Sequence, residues 1–473
     1  MRALRSLAAT AAAVLLVAPA AAAHPGVHVT AAFAVPAFPG VSAVSGTTNQ
    51  LLTTTPLTMG LRVLGHADPG GGFNGDVVAN GGYAYLGSWG NGGGGGTFCP
   101  SQGVRVYSLF NLANPTLVST FANGTEPGTP SLAGTWTEKV IVKHVITPSF
   151  SGDLAAVSIQ SCKPGSFRGF GLYNVTDPTH PKRLALYETP GAIWGSHEIW
   201  LQPRNGKAYV YTCVIDSELT TSPDGTSPGK ADFRIIDVSD PRNPKEVGEW
   251  GAWKELGINP VTRDANGITR NSFVHSVIGD GTRAYLSYWD SGTIILDVSN
   301  PAAPRYIGRT TFGPADEGNA HSAWIGRGGT LMIQTDEDFS PTTDPTGTLD
   351  ATWGYPRFFD ITDPAHPRQI ATLKLPETTQ TTTPPGYYSV HDPKILGNLA
   401  FFSWYAEGVV VADITNPAAP RVVAHWIPPP AADPRGFFQA PGVKFANVWG
   451  VYVTNTGTIL ASDINSGLWV LHM

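Results

Sequence analysis

Charge is scarce in this chain of 473 residues. Only 14% are Asp, Glu, Lys or Arg, and the formal net charge is -6. No basic cluster or stripe breaks that balance, which excludes an electrostatic nucleic-acid binder. Cysteine is scarcer still, at three residues, Cys99, Cys162 and Cys213. No Cys-x-x-Cys pair is among them, so zinc-finger and thioredoxin-like chemistry are excluded. No apolar run reaches the length of a bilayer-spanning helix. The one Gly-x-Ser-x-Gly match, Gly225 to Gly229, lies in a long polar loop and not at a strand-to-helix turn, so the nucleophile elbow of serine hydrolases is not indicated. The run Gly92 to Gly96 lacks the following Lys-Ser/Thr of a phosphate loop.

Glycine and proline, by contrast, are abundant, at 54 and 40 residues. With the aromatic and β-branched content, they suit many short strands joined by tight turns. The first 23 residues read as an export signal. Arg2 and Arg5 open it, Leu7 to Val17 is a short apolar stretch, and Ala21-Ala22-Ala23 offers a cleavage site. Residues 24–56 read as a linker or flexible arm. In an exported protein three cysteines imply one disulfide and one leftover thiol. Cys99 with Cys162 is the favoured pair, and Cys162 with Cys213 is the alternative.

One phrase recurs from residue 57 onward. It reads Asp237-Val238-Ser239-Asp240-Pro241 to Pro244, Asp297-Val298-Ser299-Asn300-Pro301 to Pro304, Asp360-Ile361-Thr362-Asp363-Pro364 to Pro367, and Asp413-Ile414-Thr415-Asn416-Pro417 to Pro420. Asn174 to Pro181 is a further copy, and Leu109 to Pro115 a degenerate one. The Asx-Pro steps fall at 114, 177, 240, 300, 363 and 416, a period of 53 to 63 residues. A fixed period of this size marks one supersecondary unit repeated in space. Each unit holds four strand-like runs, the signature of a β-propeller blade. Six blades are complete. The seventh is split, with three strands at the C-terminus and a fourth near Leu61 to His66. The predicted fold is therefore all-β, a seven-bladed β-propeller closed by an N-terminal strand and occupying 57–473.

The strand followed by Asp-Val-Ser-Asp-Pro-x-x-Pro resembles the LVIVD-repeat family of secreted bacterial β-propellers. Phe233 to Pro244, Thr293 to Pro304 and Val409 to Pro420 carry the resemblance most fully. It implies a propeller fold and an extracellular or periplasmic location, with no agreed enzymatic activity. His144, His197, His275, His321 and His391 form a set similar to the histidines of selenium-binding-protein-type propellers, and that resemblance would imply a copper-dependent oxidase, as some of that group are.

His144, His197, His275, His321 and His391 are each expected to open the first strand of a blade and to converge at the channel mouth. Imidazole suits Cu, Zn or Fe, and Glu198 and Asp392 follow two of the five. The alternative is structural, with each inherited histidine bonding a neighbouring blade. Asp336 and Asp338 offer hard oxygen ligands to Ca²⁺. Long loops are expected on one face, where Trp89, Trp136, Trp194, Trp253, Trp353, Tyr387 and Tyr388 would recognise an extracellular protein, peptide or glycan, or would pack the loops together. Function read from sequence is thus a secreted binding or interaction module. The rival is a metal-dependent oxidase or hydrolase built on the histidines.

Overall fold

The computed structural model describes residues 56–90, 99, 101–162, 165–189, 195–263, 267–316, 318–339, 351–379, 386–433 and 443–473. Residues 1–23, read from sequence as an export signal, nearly all of the expected arm, and Trp194 lie outside the described residues. Seven antiparallel sheets form the seven blades of a propeller, and two two-stranded ribbons accompany them. In chain order the blades span residues 74–121, 140–188, 199–250, 276–309, 320–372, 393–427 and 448–472. Strand Arg62–Ala67 pairs with Gly467–His472 and supplies the outer strand of the seventh blade. The ring is therefore closed by the N-terminal strand, as the sequence predicts. A second clasp was not foreseen. Leu57–Met59 adds a fifth strand to blade six by pairing with Arg421–Ile427, so the N-terminal segment ties two blades together.

The recurrent phrase is a double Asx turn, which explains its residue types. The first acidic or amide side chain accepts the backbone N–H two residues on, as in Asp237 to Ser239, Asp297 to Ser299, Asp360 to Thr362 and Asp413 to Thr415, at 2.8 to 3.0 Å. The second repeats the trick, as in Asp240 to Arg242 and Asn300 to Ala302. Asn and Asp suit such turns because their short side chains mimic a backbone acceptor. In blade one the second Asx is Asn111, bonded to the Ala113 N–H. The degenerate copy is thus anchored three residues earlier than its Asn114-Pro115 step suggests.

Every blade carries a β-bulge between its third and fourth strands, and the skipped residue is always apolar: Leu64, Val118, Leu184, Val247, Ile307, Ile370 or Val423. A bulge twists an outer strand and blunts its edge. The residue after it is always small: Gly65, Ser119, Ala185, Gly248, Gly308, Ala371 or Ala424. Small size is required where the Pro turn of the next blade docks. A Cβ on Gly65, Gly248 or Gly308 would stand 1.9 to 2.4 Å from the carbonyl of Leu112, Pro301 or Pro364, and Ser119 Oγ donates to the Pro178 carbonyl at 2.6 Å.

Blade cores are built from alternate strand residues, such as Ile235, Tyr211, Leu286 and Ile294, all fully buried. No helix among the described residues is long and apolar enough to cross a membrane.

A candidate metal centre at the head of the channel

First strands line the central channel. Four of the five predicted histidines meet there, in consecutive blades. His197, His275, His321 and His391 are 0 to 4% exposed. His197 Nε2 and His275 Nε2 are hydrogen-bonded at 3.0 Å. Ring centroids lie 4.1 Å apart for His275–His321 and again for His321–His391.

His144 does not belong to this group. It is exposed, on the far part of its strand, and bonds Asp153 at 2.8 Å. The cause is hairpin length. In blade three the pair two residues past the histidine is Ile199–Thr212, but in blade two the matching pair is Val140–Val157, a loop four residues longer. Counting back a fixed number from the second strand therefore stops short of the channel end and lands near the turn that joins the two strands. The blade-two position is held by Glu138, fully buried and 3.5 Å from His197 Nδ1. In blade seven Trp449 fills the place expected for Asn447. Its ring lies 4.5 Å from His391, and its indole N–H donates to Glu138 Oε1 at 3.1 Å. Blade one contributes Gly75, without a side chain. That gap lets blades seven and two touch, so six side chains close a ring.

Glu337, like Glu138, is a site residue that sequence reasoning missed. It follows the second strand of blade five (Leu331–Asp336) and is fully buried. Its carboxylate lies 3.6 Å from His321 Nε2 and 3.7 Å from His391 Nε2, and accepts a hydrogen bond from the Tyr405 hydroxyl. Ligand atoms of His275, His321 and Glu337 all lie within 4.8 Å of one another. The neighbouring Asp336-Glu337-Asp338 carboxylates signal acidity but not this inward turn. His197 Nδ1 is set by Gln160 Oε1 at 2.8 Å, and His321 Nδ1 by Ser322 Oγ at 2.8 Å. Such partners fix ring orientation and tautomer, the usual task of groups behind metal-ligating histidines.

The ring is closed above and below. Above it, Phe73, Trp89, Trp136, Trp353, Tyr387, Tyr405 and Phe445 pack into one buried cluster. The long-loop aromatics therefore pack the loops together, and Trp89, Trp136, Trp353, Tyr387 and Tyr388 are at most 5% exposed. Trp253 is also buried, in the short helix Ala252–Leu256. A disulfide between Cys99 and Cys162 staples the second-to-third loops of blades one and two, and Cys213 is the buried free thiol.

Below the ring lies a charged floor. Lys139 Nζ sits 2.8 Å from Asp76, 3.1 Å from Glu198 and 3.5 Å from Asp392, and Lys394 holds Asp392 at 2.6 Å. Glu198 and Asp392, expected as secondary ligands, thus face the channel side and are committed to lysines. Burial works against the Lys139 charge, but Asp392, Asp76 and Glu198 outweigh it and hold the ammonium well above its usual value. Burial pushes Glu198 and Glu138 up to about 8. It would also raise Asp392, yet Lys139 and Lys394 override it and keep that carboxyl ionised. Asp336, expected as a calcium ligand, is held by Arg357 at 2.5 Å and by Gln334 at 2.8 Å. A guanidinium on the carboxylate removes the reason to place Ca²⁺ there. Asp338 is buried beside it.

With this geometry established, comparison with known proteins identifies the repeat. The LVIVD repeat family model matches residues 229–250 and 275–311. The chain is a β-propeller carrying LVIVD repeats. The two matched segments hold the third and fourth strands of blade three and all of blade four, where the Asx turn, bulge and small residue follow one another. No curated protein matches the sequence. Among solved structures, the computationally designed Ika8 protein is similar at 8% identity and a TM-score of 0.46, over 87% of this chain and 100% of that one.

Proposed function

We propose that this protein is an exported, metal-binding β-propeller, in which His275, His321 and Glu337 hold a transition-metal ion at the head of the channel. The observation that carries the reading is the convergence of three ligand atoms within 4.8 Å in a fully buried setting. Burying imidazoles and a carboxylate together is costly unless they are paired or coordinate a metal. An imidazole and carboxylate donor set suits Zn, Cu or Fe. His391 and His197 flank the three, and Gln160 and Ser322 orient the rings. The aromatic roof and the Lys139 floor shield the three ligands from bulk water. Three protein ligands leave a fourth position open, but an oxidase or hydrolase would also need a path for substrate to reach it. Export is supported by the N-terminal reading and is compatible with the disulfide.

A second reading has its own observation. The direct His197–His275 hydrogen bond supports a metal-free polar ring that locks the blades together, leaving the protein a binding module for an extracellular protein, peptide or glycan. The two readings separate on metal-dependent stability. Chelator-stripped protein should melt lower than protein reloaded with Zn²⁺ or Cu²⁺. At free metal near a thousand times Kd the gain is about 4 kcal/mol. A His321→Ala, Glu337→Gln double variant should lose the response. Equal melting of stripped and reloaded wild type would favour the polar ring.

A further inference from the structure

Beneath the charged floor the channel continues as a cavity of about 220 Å³ that runs to the short-turn face, the face opposite the long loops, where tight turns join first to second strands. It is separate from the histidine ring, and its walls change character toward the mouth. The floor is polar, with Lys139, Glu198, Asp392 and Lys394. The middle and mouth are apolar, with Ile141, Ile278, Ile395, Tyr452, Trp200 and Trp324. Trp200 and Trp324 meet edge to face, with ring centroids 5.9 Å apart, although blade four stands between their blades. Ile278 on blade four does not keep them apart.

Three lysines line this cavity, and two are committed. Lys139 faces three carboxylates and Lys394 bonds Asp392. The third, Lys143, places its Nζ 3.7 Å from the Trp200 ring centroid, and no ion pair among the described residues includes it. Burial pushes its ammonium down to about 8, as expected of a charge that has lost water and gained no counter-ion. An anion brought to the mouth would supply that counter-ion, while the tryptophans and isoleucines would cover an apolar body. Concave, mostly apolar pockets with a few placed polar groups are the usual form of small-molecule sites.

We propose that the channel is a binding site for a small amphipathic carboxylate, which enters from the short-turn face, pairs its carboxylate with Lys143 and buries an apolar or aromatic body against Trp200, Trp324 and Ile278. A cationic ligand is disfavoured by Lys143 itself. A larger polymer is disfavoured by the volume, which falls below that of ordinary drug-sized sites. The site does not depend on metal in the ring above it.

The test uses 3-phenylpropionate, its amide and the matching amine, each titrated into the full mature protein by calorimetry and ligand-observed NMR. The acid should bind, and the amide should bind at least about tenfold more weakly, the discrimination expected for a charge-assisted contact. Lys143→Met should bring the acid down to the level of the amide. Ile278→Trp, which fills the mouth while leaving Lys143 in place, should abolish binding of both. Unchanged circular dichroism in each variant separates these effects from misfolding. Equal binding of acid and amide overturns the proposal, as does undiminished acid binding by Lys143→Met. Absence of binding by all three probes up to about 10 mM, weaker than any useful affinity, also overturns it. Metal content does not enter these readouts, so failure here and failure of the metal centre are distinguishable.

Discussion

Replacing Gly248 with alanine tests how the blades lock. Gly248 lies in extended backbone on the fourth strand of blade three, so alanine meets no conformational penalty there. The penalty is steric. The new Cβ would stand 1.9 Å from the Pro301 carbonyl oxygen and 3.1 Å from its carbon. Restoring an ordinary C···O separation of roughly 3.3 Å requires the blade-four turn to retreat by about 1.4 Å. That turn is held by the Asn300 side chain on the Ala302 N–H and by a backbone bond from Ala303 to Asn300, so it does not give freely. Forcing an extra carbon into a packed contact costs about 1–3 kcal/mol. Urea unfolding followed by tryptophan fluorescence would read this as a lower midpoint with an unchanged slope. Lys245→Ala, exposed on the same strand, is the control and should stay within about 0.5 kcal/mol of wild type. If Gly248→Ala unfolds like wild type, close docking of the small residue against the next turn does not stabilise the ring, and the explanation of the bulge-plus-small pattern fails.

Other outcomes follow from the same structure. Leu61, 4% exposed among Val409, Val451 and Leu471, anchors the N-terminal clasp. Leu61→Ala should cost about 2–5 kcal/mol, and deletion of 57–66 should cost more, measured as thermal midpoints; a truncated protein that melts normally would refute closure by this strand. Opening the Cys99–Cys162 bond, which spans 63 residues, should cost about 4 kcal/mol in the chain-entropy account, and a reduced protein with unaltered urea midpoint would contradict it. Hydrogen bonds from Ser299 and Thr415 hold Asp297 and Asp413 down to about 2. Depressed carboxyls contribute stability above their ordinary value of about 4 and lose it as pH falls toward 2. Acid unfolding should therefore be steeper in wild type than in an Asp297→Asn, Asp413→Asn variant; identical acid midpoints would argue against these turns.

Much of the architecture was legible because the turn chemistry is local. An Asx acceptor two residues before a bare N–H, followed by Pro, announces itself in sequence, and five full copies with one degenerate copy mark six of the seven blades. The split blade was legible through the likeness of Leu61 to His66 to other fourth strands. The site was half legible. Histidines at a repeated position could be counted, but their register could not, since a hairpin four residues longer moved His144 out of the channel. Glu337 and Glu138 were not found, because what brings them inward is packing between blades, on which spacing within one blade is silent. The aromatic loops gave the right residues and two possible roles, and only their burial decides between recognition and packing.

The most direct test of the metal centre is elemental analysis of the purified protein beside a His275→Ala, His321→Ala variant. The account predicts about one Cu, Zn or Fe per chain in wild type, the stoichiometry of a single ligand set, and none retained in the variant. No metal in the wild type, or an undiminished content in the variant, would contradict it.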